Sequence, residues 1–283
     1  MSTRNNQDRL GALDADGSDP TQTSGENNFS FVTPTEFVEL PSRGRYYPED
    51  HPLHNQEMVE INYMTAKDED ILASQSLIKK GLVLDRFLQN IVVDKSISMQ
   101  DLLVGDKGAI MVAARITGYG SDYTVDVTCP SCGIQSENIY DLNEILEITH
   151  ADDYDKSNTE VTNEGTFLIE LPVSKATVEI KLMSGVDETK LRSLKERKKK
   201  LKLPETDLTD SLRTIILSVN GSDQRNSINE FIQSMPSADG KHIRSVYQKV
   251  NPAANLKAFF ECDACEYAKE VYVPITVRFF WPE

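Results

Sequence analysis

The chain carries one short stretch in two versions, Val59-Glu-Ile-Asn-Tyr-Met-Thr-Ala-Lys-Asp-Glu69 and Val178-Glu-Ile-Lys-Leu-Met-Ser-Gly-Val-Asp-Glu188. The two versions align without a gap. Val, Glu, Ile, Met, Asp and Glu are identical in both, and Thr65 stands opposite Ser184. A stretch that recurs in this way indicates that one structural unit occurs twice in the chain.

Further matches follow in the same order on both sides of this stretch. Upstream, Phe37-Val-Glu-Leu-Pro41 corresponds to Leu168-Ile-Glu-Leu-Pro172, and downstream, Ser98-Met-Gln-Asp101 corresponds to Ser227-Ile-Asn-Glu230. Each copy then ends in a Cys-x-x-Cys motif. A single match arises easily by chance, whereas four matches in one shared order favour an internal duplication.

Local patterns predict the same structure for each copy. Strands are expected at the start, because β-branched and aromatic residues alternate there. Thr65 and Ser184 are placed to cap the following helix, and Asp68 and Asp187, three residues on, are placed to complete a capping box. The spacing of apolar residues then predicts helices, among them Asp70–Lys80 and Leu208–Val219. The predicted fold class is α+β, with two related lobes that each combine a strand pair, helices and a zinc-knuckle hairpin.

Composition divides the chain into four parts. Residues 1–28 are rich in Asp, Ser, Gly, Asn and Gln and are predicted to form a disordered polar arm. Residues 29–149 form the first predicted lobe, and the polar segment 150–165 is the predicted linker. Residues 166–283 form the second predicted lobe, which ends in an aromatic tail.

Charge and hydropathy exclude several classes of protein. The 283 residues include 30 Lys and Arg against 45 Asp and Glu, which gives a net charge of −15 and a pI near 4.8. We therefore do not expect nonspecific binding to nucleic acid, which is itself anionic. No apolar run approaches the roughly 20 residues of a membrane-spanning helix, and the N-terminus lacks the apolar segment of a signal peptide. A soluble cytoplasmic protein without a membrane partner is expected.

The four cysteines form two pairs, Cys129-Pro-Ser-Cys132 and Cys262-Asp-Ala-Cys265. Each pair suits a turn that places two thiolates on one zinc ion, and duplication would allow both turns to share that ion. We therefore predict one structural zinc site that clamps the two lobes together. The alternatives are buried apolar cysteines or redox disulfides. A thioredoxin-like pair would lie at a helix N-terminus, whereas both pairs are expected between strands.

No pattern of catalytic residues is recognisable. The four histidines are scattered, and the sequence contains no HExxH, GxSxG, P-loop or Rossmann motif. We therefore do not expect an enzyme. The basic run Lys195–Lys202 would suit nucleic acid or an acidic partner, but a solvated helix end is the favoured interpretation.

The chain ends in an aromatic cluster. Phe279, Phe280 and Trp281 stand in a region that is usually polar and frayed. Two alternatives follow. Either this tail packs onto the core of its own chain, or the three rings are an exposed anchor that binds another protein.

Several strings in the first lobe resemble the baseplate hub assembly proteins of T4-like bacteriophages. They are Met64-Thr-Ala-Lys-Asp-Glu-Asp-Ile-Leu72, Leu77-Ile-Lys-Lys-Gly81, Leu102-Leu-Val-Gly-Asp-Lys107, Arg115-Ile-Thr-Gly-Tyr-Gly-Ser-Asp-Tyr123 and Val125-Asp-Val-Thr-Cys-Pro-Ser-Cys132. The resemblance covers Phe37–Tyr140 well and the second lobe more loosely. It implies an assembly chaperone or catalyst that binds phage baseplate hub proteins and carries the zinc pair Cys129 and Cys132.

Three functions are thus in competition. The first is a non-enzymatic factor that binds hub subunits in the host cytoplasm during assembly. The second is a structural baseplate subunit retained in the virion. The third, a zinc-ribbon protein that binds nucleic acid or the transcription machinery, ranks last because the predicted hairpins are acidic rather than basic. The sequence leaves open whether the chain self-associates.

Overall fold

A computed structural model of the chain describes residues 33–150, 159–275 and 279–281. Helices and strands alternate along these residues, which confirms the predicted mixture of the two. The predicted arm at 1–28 lies outside the described residues. Within the described ranges, no helix combines the length and the apolar character that crossing a bilayer requires.

The first half of the chain forms a strand pair, a group of helices and a second strand pair. In chain order, its elements are β1 (Thr35–Glu39), β2 (Met58–Asn62), α1 (Ala66–Ala73), α2 (Gln75–Lys80), α3 (Val83–Ile91), α4 (Val104–Tyr119), β3 (Asp122–Thr128), β4 (Gln135–Asp141), α5 (Leu142–Ile145) and β5 (Leu146–Thr149). Strand β1 pairs with β2, and β3 pairs with β4, both antiparallel.

The second half runs through a similar series of elements. In chain order, they are β6 (Glu160–Val161), β7 (Phe167–Glu170), β8 (Thr177–Ile180), α6 (Gly185–Lys200), α7 (Asp207–Ile215), β9 (Ile216–Val219), α8 (Arg225–Ser234), α9 (Ser237–Val250), β10 (Ala253–Glu261) and β11 (Ala268–Tyr272). Strands β6 to β9 form one antiparallel sheet in chain order. Strand β10 lies between β11 and β5 in another.

Both predicted capping boxes are confirmed. Thr65 caps α1, and its backbone N–H donates to the Asp68 carboxylate at 2.9 Å. Ser184 caps α6 in the same way, with its N–H donating to Asp187 at 3.2 Å. Asp187 is also bonded to the Lys181 ammonium at 2.6 Å. The repeated stretch therefore ends, in both halves, at a capped helix.

We expect Ser184→Ala to lower the free energy of unfolding by about 1 kcal/mol, the usual cost of losing an N-cap side chain. Urea denaturation followed by circular dichroism would measure it. Ser193→Ala, at an exposed position within α6, is the matched control and should change little. Equal effects of the two substitutions would contradict the capping role of Ser184.

Three predicted elements differ from the structure. The helix expected at Asp70–Lys80 begins earlier and is interrupted at Ser74, whose backbone is extended and whose hydroxyl lies 3.2 Å from that of Ser76. The helix expected at Leu208–Val219 ends at Ile215, because the following β-branched residues pair with β8 as strand β9. Residues 151–158 of the predicted linker 150–165 lie outside the described residues, and its described end contains β6, which pairs with β7.

The two halves are joined by more than the cysteines. Strand β5 of the first half pairs with β10 of the second. The start of α4 packs so closely on this strand that a Cβ on Gly105 would lie 1.9 Å from the Pro252 carbonyl oxygen. The Lys107 ammonium, on α4, binds Asp85 of the first half and Glu188 of the second. These contacts hold α4 against elements of the second half.

Candidate metal centre

Each Cys-x-x-Cys motif occupies the turn of an antiparallel hairpin. Cys129 and Cys132 lie between β3 and β4, and Cys262 and Cys265 lie between β10 and β11. The first cysteine of each pair directly follows a strand whose alternate residues are buried in the core, and both first cysteines are buried. Burial of the strands therefore fixes where the thiols are placed.

The two turns close with the same hydrogen bond. The backbone N–H of Cys129 donates to the Ile134 carbonyl at 2.8 Å, and that of Cys262 donates to the Tyr267 carbonyl at 3.0 Å. The first turn also uses Gly133, whose φ of 74° is a left-handed conformation that favours glycine. Glu266 occupies the corresponding position in the second turn.

The structure brings all four predicted ligands together. The Sγ atoms of Cys129 and Cys265 are 3.7 Å apart, as are those of Cys132 and Cys262. All four Sγ atoms lie within 4.8 Å of one another. The cysteines are free thiols, and both of the 3.7 Å separations join one hairpin to the other.

This arrangement fits a tetrahedral metal ion. Four sulfurs about 2.3 Å from a central zinc ion would lie about 3.8 Å from one another, close to the separations across the hairpins. A disulfide would require sulfurs about 2.05 Å apart. A set of four thiolates selects a soft or borderline ion, such as zinc, over calcium or magnesium. Since all four positions would be filled by protein, such a site is structural rather than catalytic.

The thiols have different proton affinities. Burial raises the pKa of Cys129, but hydrogen bonds from the backbone N–H groups of Cys132 and Ser131 outweigh it and lower that pKa to about 7. The N–H of Ile134 lowers the pKa of Cys132, but burial and the other three thiols raise it to about 12. Cys129 is therefore ionised more readily than Cys132.

The predicted aromatic anchor lies largely inside the protein. Phe279 and Phe280 are buried, and Trp281 is half-buried. Phe279 contacts Tyr123 with ring centroids 5.0 Å apart, and Phe280 contacts Phe87 at 5.1 Å. Phe279 and Phe280 therefore pack onto the core of their own chain, which is the first of the two alternatives given for the tail. Partner contact through Phe279, Phe280 and Trp281 stays a prediction.

The basic run lies at the end of α6, as predicted. Lys195 is ion-paired with Asp207 at 2.6 Å, and Lys198 is ion-paired with Asp210 and bonded to Thr206. Both acids belong to α7. The inner cations of the run therefore hold the two helices together.

The sequence patterns do not single out two buried aspartates in the first turns of α4 and α9. Asp106, in the first turn of α4, accepts hydrogen bonds from the backbone N–H and the hydroxyl of Ser42 at 2.9 and 2.5 Å. Asp239, in the first turn of α9, accepts the N–H groups of Val173 and Ser174 at 2.8 and 2.9 Å. Each carboxylate anchors the helix that leads into a cysteine hairpin.

The spacing of these two aspartates along the chain is the sequence feature that identifies them as a matched pair. Asp106 and Asp239 are 133 residues apart, the same offset as Cys129 and Cys262. An aspartate in a first helical turn has an ordinary explanation as a dipole partner, and so its match across the two halves is easily overlooked.

Comparison with known proteins gave one match. The family model described as T4 bacteriophage base plate protein matches residues 35–281, which include the strands, the helices and both cysteine pairs. No curated protein and no solved structure matches the chain.

Proposed function

Since the chain belongs to the T4 bacteriophage base plate protein family, we propose that it is a non-enzymatic assembly factor for the baseplate. In this proposal it binds subunits of the central hub in the host cytoplasm and promotes their assembly. The observation that carries the proposal is the family match, which spans nearly all described elements. The resemblance of the first half to hub assembly proteins supports the narrower role.

A structural subunit retained in the virion is the second candidate, because membership of the family is equally compatible with it. The two candidates differ in where the protein is found. We would measure its copy number by quantitative mass spectrometry in purified virions, in baseplate-assembly intermediates and in lysates. Presence in intermediates without presence in virions is the expected result. A fixed copy number in virions would instead identify a structural subunit.

We also propose that the four cysteines bind one zinc ion that clamps the two hairpins. The sulfur separations across the hairpins and the purely thiolate donor set support it. The ion would supply a cross-link between β3–β4 and β10–β11 and would take no part in a reaction. Elemental analysis of the folded protein should find one zinc per chain. A folded protein without metal and with four reactive thiols would refute the clamp.

An internal duplication accounts for the two halves in this proposal. The pairing of β7 with β8 and of β8 with β9 corresponds to that of β1 with β2 and of Ile61 with Val92. The capped helices, the buried aspartates and the cysteine turns follow in the same order in both halves. Such a protein would offer two similar sets of surfaces to its partners, arranged around a single metal ion.

A further inference from the structure

The last turn of α6 and the connection that leads to α7 carry cations and exposed leucines side by side. We call it the cationic tip and define it by Arg197, Lys199, Lys200, Leu201, Lys202 and Leu203. All six side chains are exposed, and Leu201 and Leu203 expose 57% and 51% of their surface. Unlike Lys195 and Lys198, the four cations of the tip make no ion pair within the described part of the chain. The tip is therefore a positive and apolar surface on a chain of net charge −15.

The first half of the chain has no counterpart of the long connection that carries this tip. In the first half, α2 ends at Lys80 and α3 begins at Val83, whereas in the second half residues 201–206 separate α6 from α7. Ser184 lies 119 residues after its counterpart Thr65. Asp207, the start of α7, lies 124 residues after Val83, the start of α3. On the duplication proposed above, the added residues fall in the connection 201–206, which holds Leu201, Lys202 and Leu203 of the tip. Since folding of the first half does not need them, a binding role is the simpler reason for their presence.

A surface of complementary character lies on the β10–β11 hairpin. Phe259 and Tyr272 expose 60% and 70% of their surface. Because successive side chains of a strand alternate between faces and Phe259 lies opposite Glu270, these aromatics share one face with Glu261 and Glu270. We call it the acidic aromatic face and define it by Phe259, Glu261, Glu270 and Tyr272.

This face keeps a surplus of negative charge. Lys257 lies on it, but its ammonium is paired with Glu270 at 3.0 Å and with Glu147 at 3.8 Å. Glu261 remains without an ion pair among the described residues, and the turn beyond it adds the exposed acids Asp263 and Glu266. The face therefore matches the cationic tip in both respects, since it offers negative charge and exposed apolar rings.

We propose that the cationic tip of one copy of this chain docks on the acidic aromatic face of a second copy. The leucines of the tip pack on Phe259 and Tyr272, and its lysines lie against Glu261 and Glu270. The two surfaces differ, so the contact is heterologous and each pair keeps one free tip and one free face. Copies can then add in a ring or a row. The inference holds whether the protein is an assembly factor or a retained subunit.

The net charge of −15 does not prevent this contact. At about 0.1 M salt the Debye length is about 10 Å, so charges spread over the rest of the molecule are largely screened while charges in contact are not. At about 1 M salt the Debye length falls to about 3 Å. Association should therefore weaken strongly between these two salt concentrations.

Sedimentation of the full chain tests the proposal. We expect the mass of the wild-type protein to rise above 31.8 kDa at concentrations up to about 100 μM, since interfaces of ordinary size bind with micromolar constants or tighter. A tip variant, Leu201→Ser with Lys202→Glu, and a face variant, Phe259→Ser with Glu261→Lys, should each stay at the mass of one chain. An equimolar mixture of the two should form pairs and stop there, because each variant keeps one intact surface.

The control changes the same kinds of residue elsewhere. Val173→Ser with Lys175→Glu alters an exposed aliphatic and an exposed lysine in the turn between β7 and β8, and it should associate as the wild type does. A wild-type protein that stays at the mass of one chain overturns the proposal. The proposal is also overturned if the tip variant and the face variant each still associate as the wild type does. Binding of the tip to phosphatidylserine vesicles or duplex DNA, without self-association, would also overturn it and assign the tip to those partners.

Discussion

Cys129→Ser should abolish stoichiometric zinc binding and lower the free energy of unfolding by several kcal/mol. Structural zinc sites have apparent binding free energies of about 10–16 kcal/mol in zinc-finger peptides, and in such sites binding energy is folding energy. The serine hydroxyl is a poor replacement for a thiolate, so three cysteines would hold the ion weakly. The measurement is elemental analysis together with thermal unfolding, with and without a chelator.

Ala264→Ser is the matched control for that experiment. It places the same hydroxyl at an exposed position in the turn of Cys262 and Cys265 but leaves all four thiols in place. Its zinc content and melting temperature should match the wild type, and a chelator should destabilise it as it does the wild type. If Cys129→Ser melts like this control and the chelator has no effect on either, the hairpins are not clamped by metal.

Phe280→Ala should cost about 3–5 kcal/mol of stability, the usual range for removing a buried phenylalanine ring. The ring is buried against Phe87 and against Phe279, each with a centroid separation of 5.1 Å. The substitution therefore leaves a cavity between the tail and α3. Urea denaturation gives the free energy, with the slope checked for two-state behaviour.

Phe37→Ala serves as the control for this prediction. It removes the same ring from the outer face of β1, where the side chain is exposed, and it should change stability by less than about 0.5 kcal/mol. If Phe280→Ala has an equally small effect on stability but weakens binding to a baseplate partner, the tail is an anchor for another protein after all.

The sequence predicted those features whose signals are local or repeated. The capping boxes follow from Thr65 with Asp68 and from Ser184 with Asp187, where three residues decide the structure. The approach of the four cysteines was predicted from the two Cys-x-x-Cys pairs, which suit one shared metal ion. Neither prediction needed knowledge of how distant elements pack.

Features set by distant contacts were not predictable in this way. Residues Ile216–Val219 continue the apolar spacing of α7 and become a strand only because β8 lies beside them. The pairing of β5 with β10 joins segments more than a hundred residues apart. The burial of Phe279 and Phe280 likewise depends on Tyr123 and Phe87, which no pattern in the tail itself reveals. In each case tertiary packing decides between local alternatives.

The separation of the cysteines along the chain has a kinetic consequence. Cys129 and Cys265 are 136 residues apart, and contacts between such distant residues form late, because closing a long loop costs conformational entropy first. A metal ion that binds only when both hairpins are in place would be absent from the transition state of folding. Interactions absent from the transition state leave the folding rate almost unchanged and slow unfolding instead. The ion would thus act mainly on the lifetime of the folded chain.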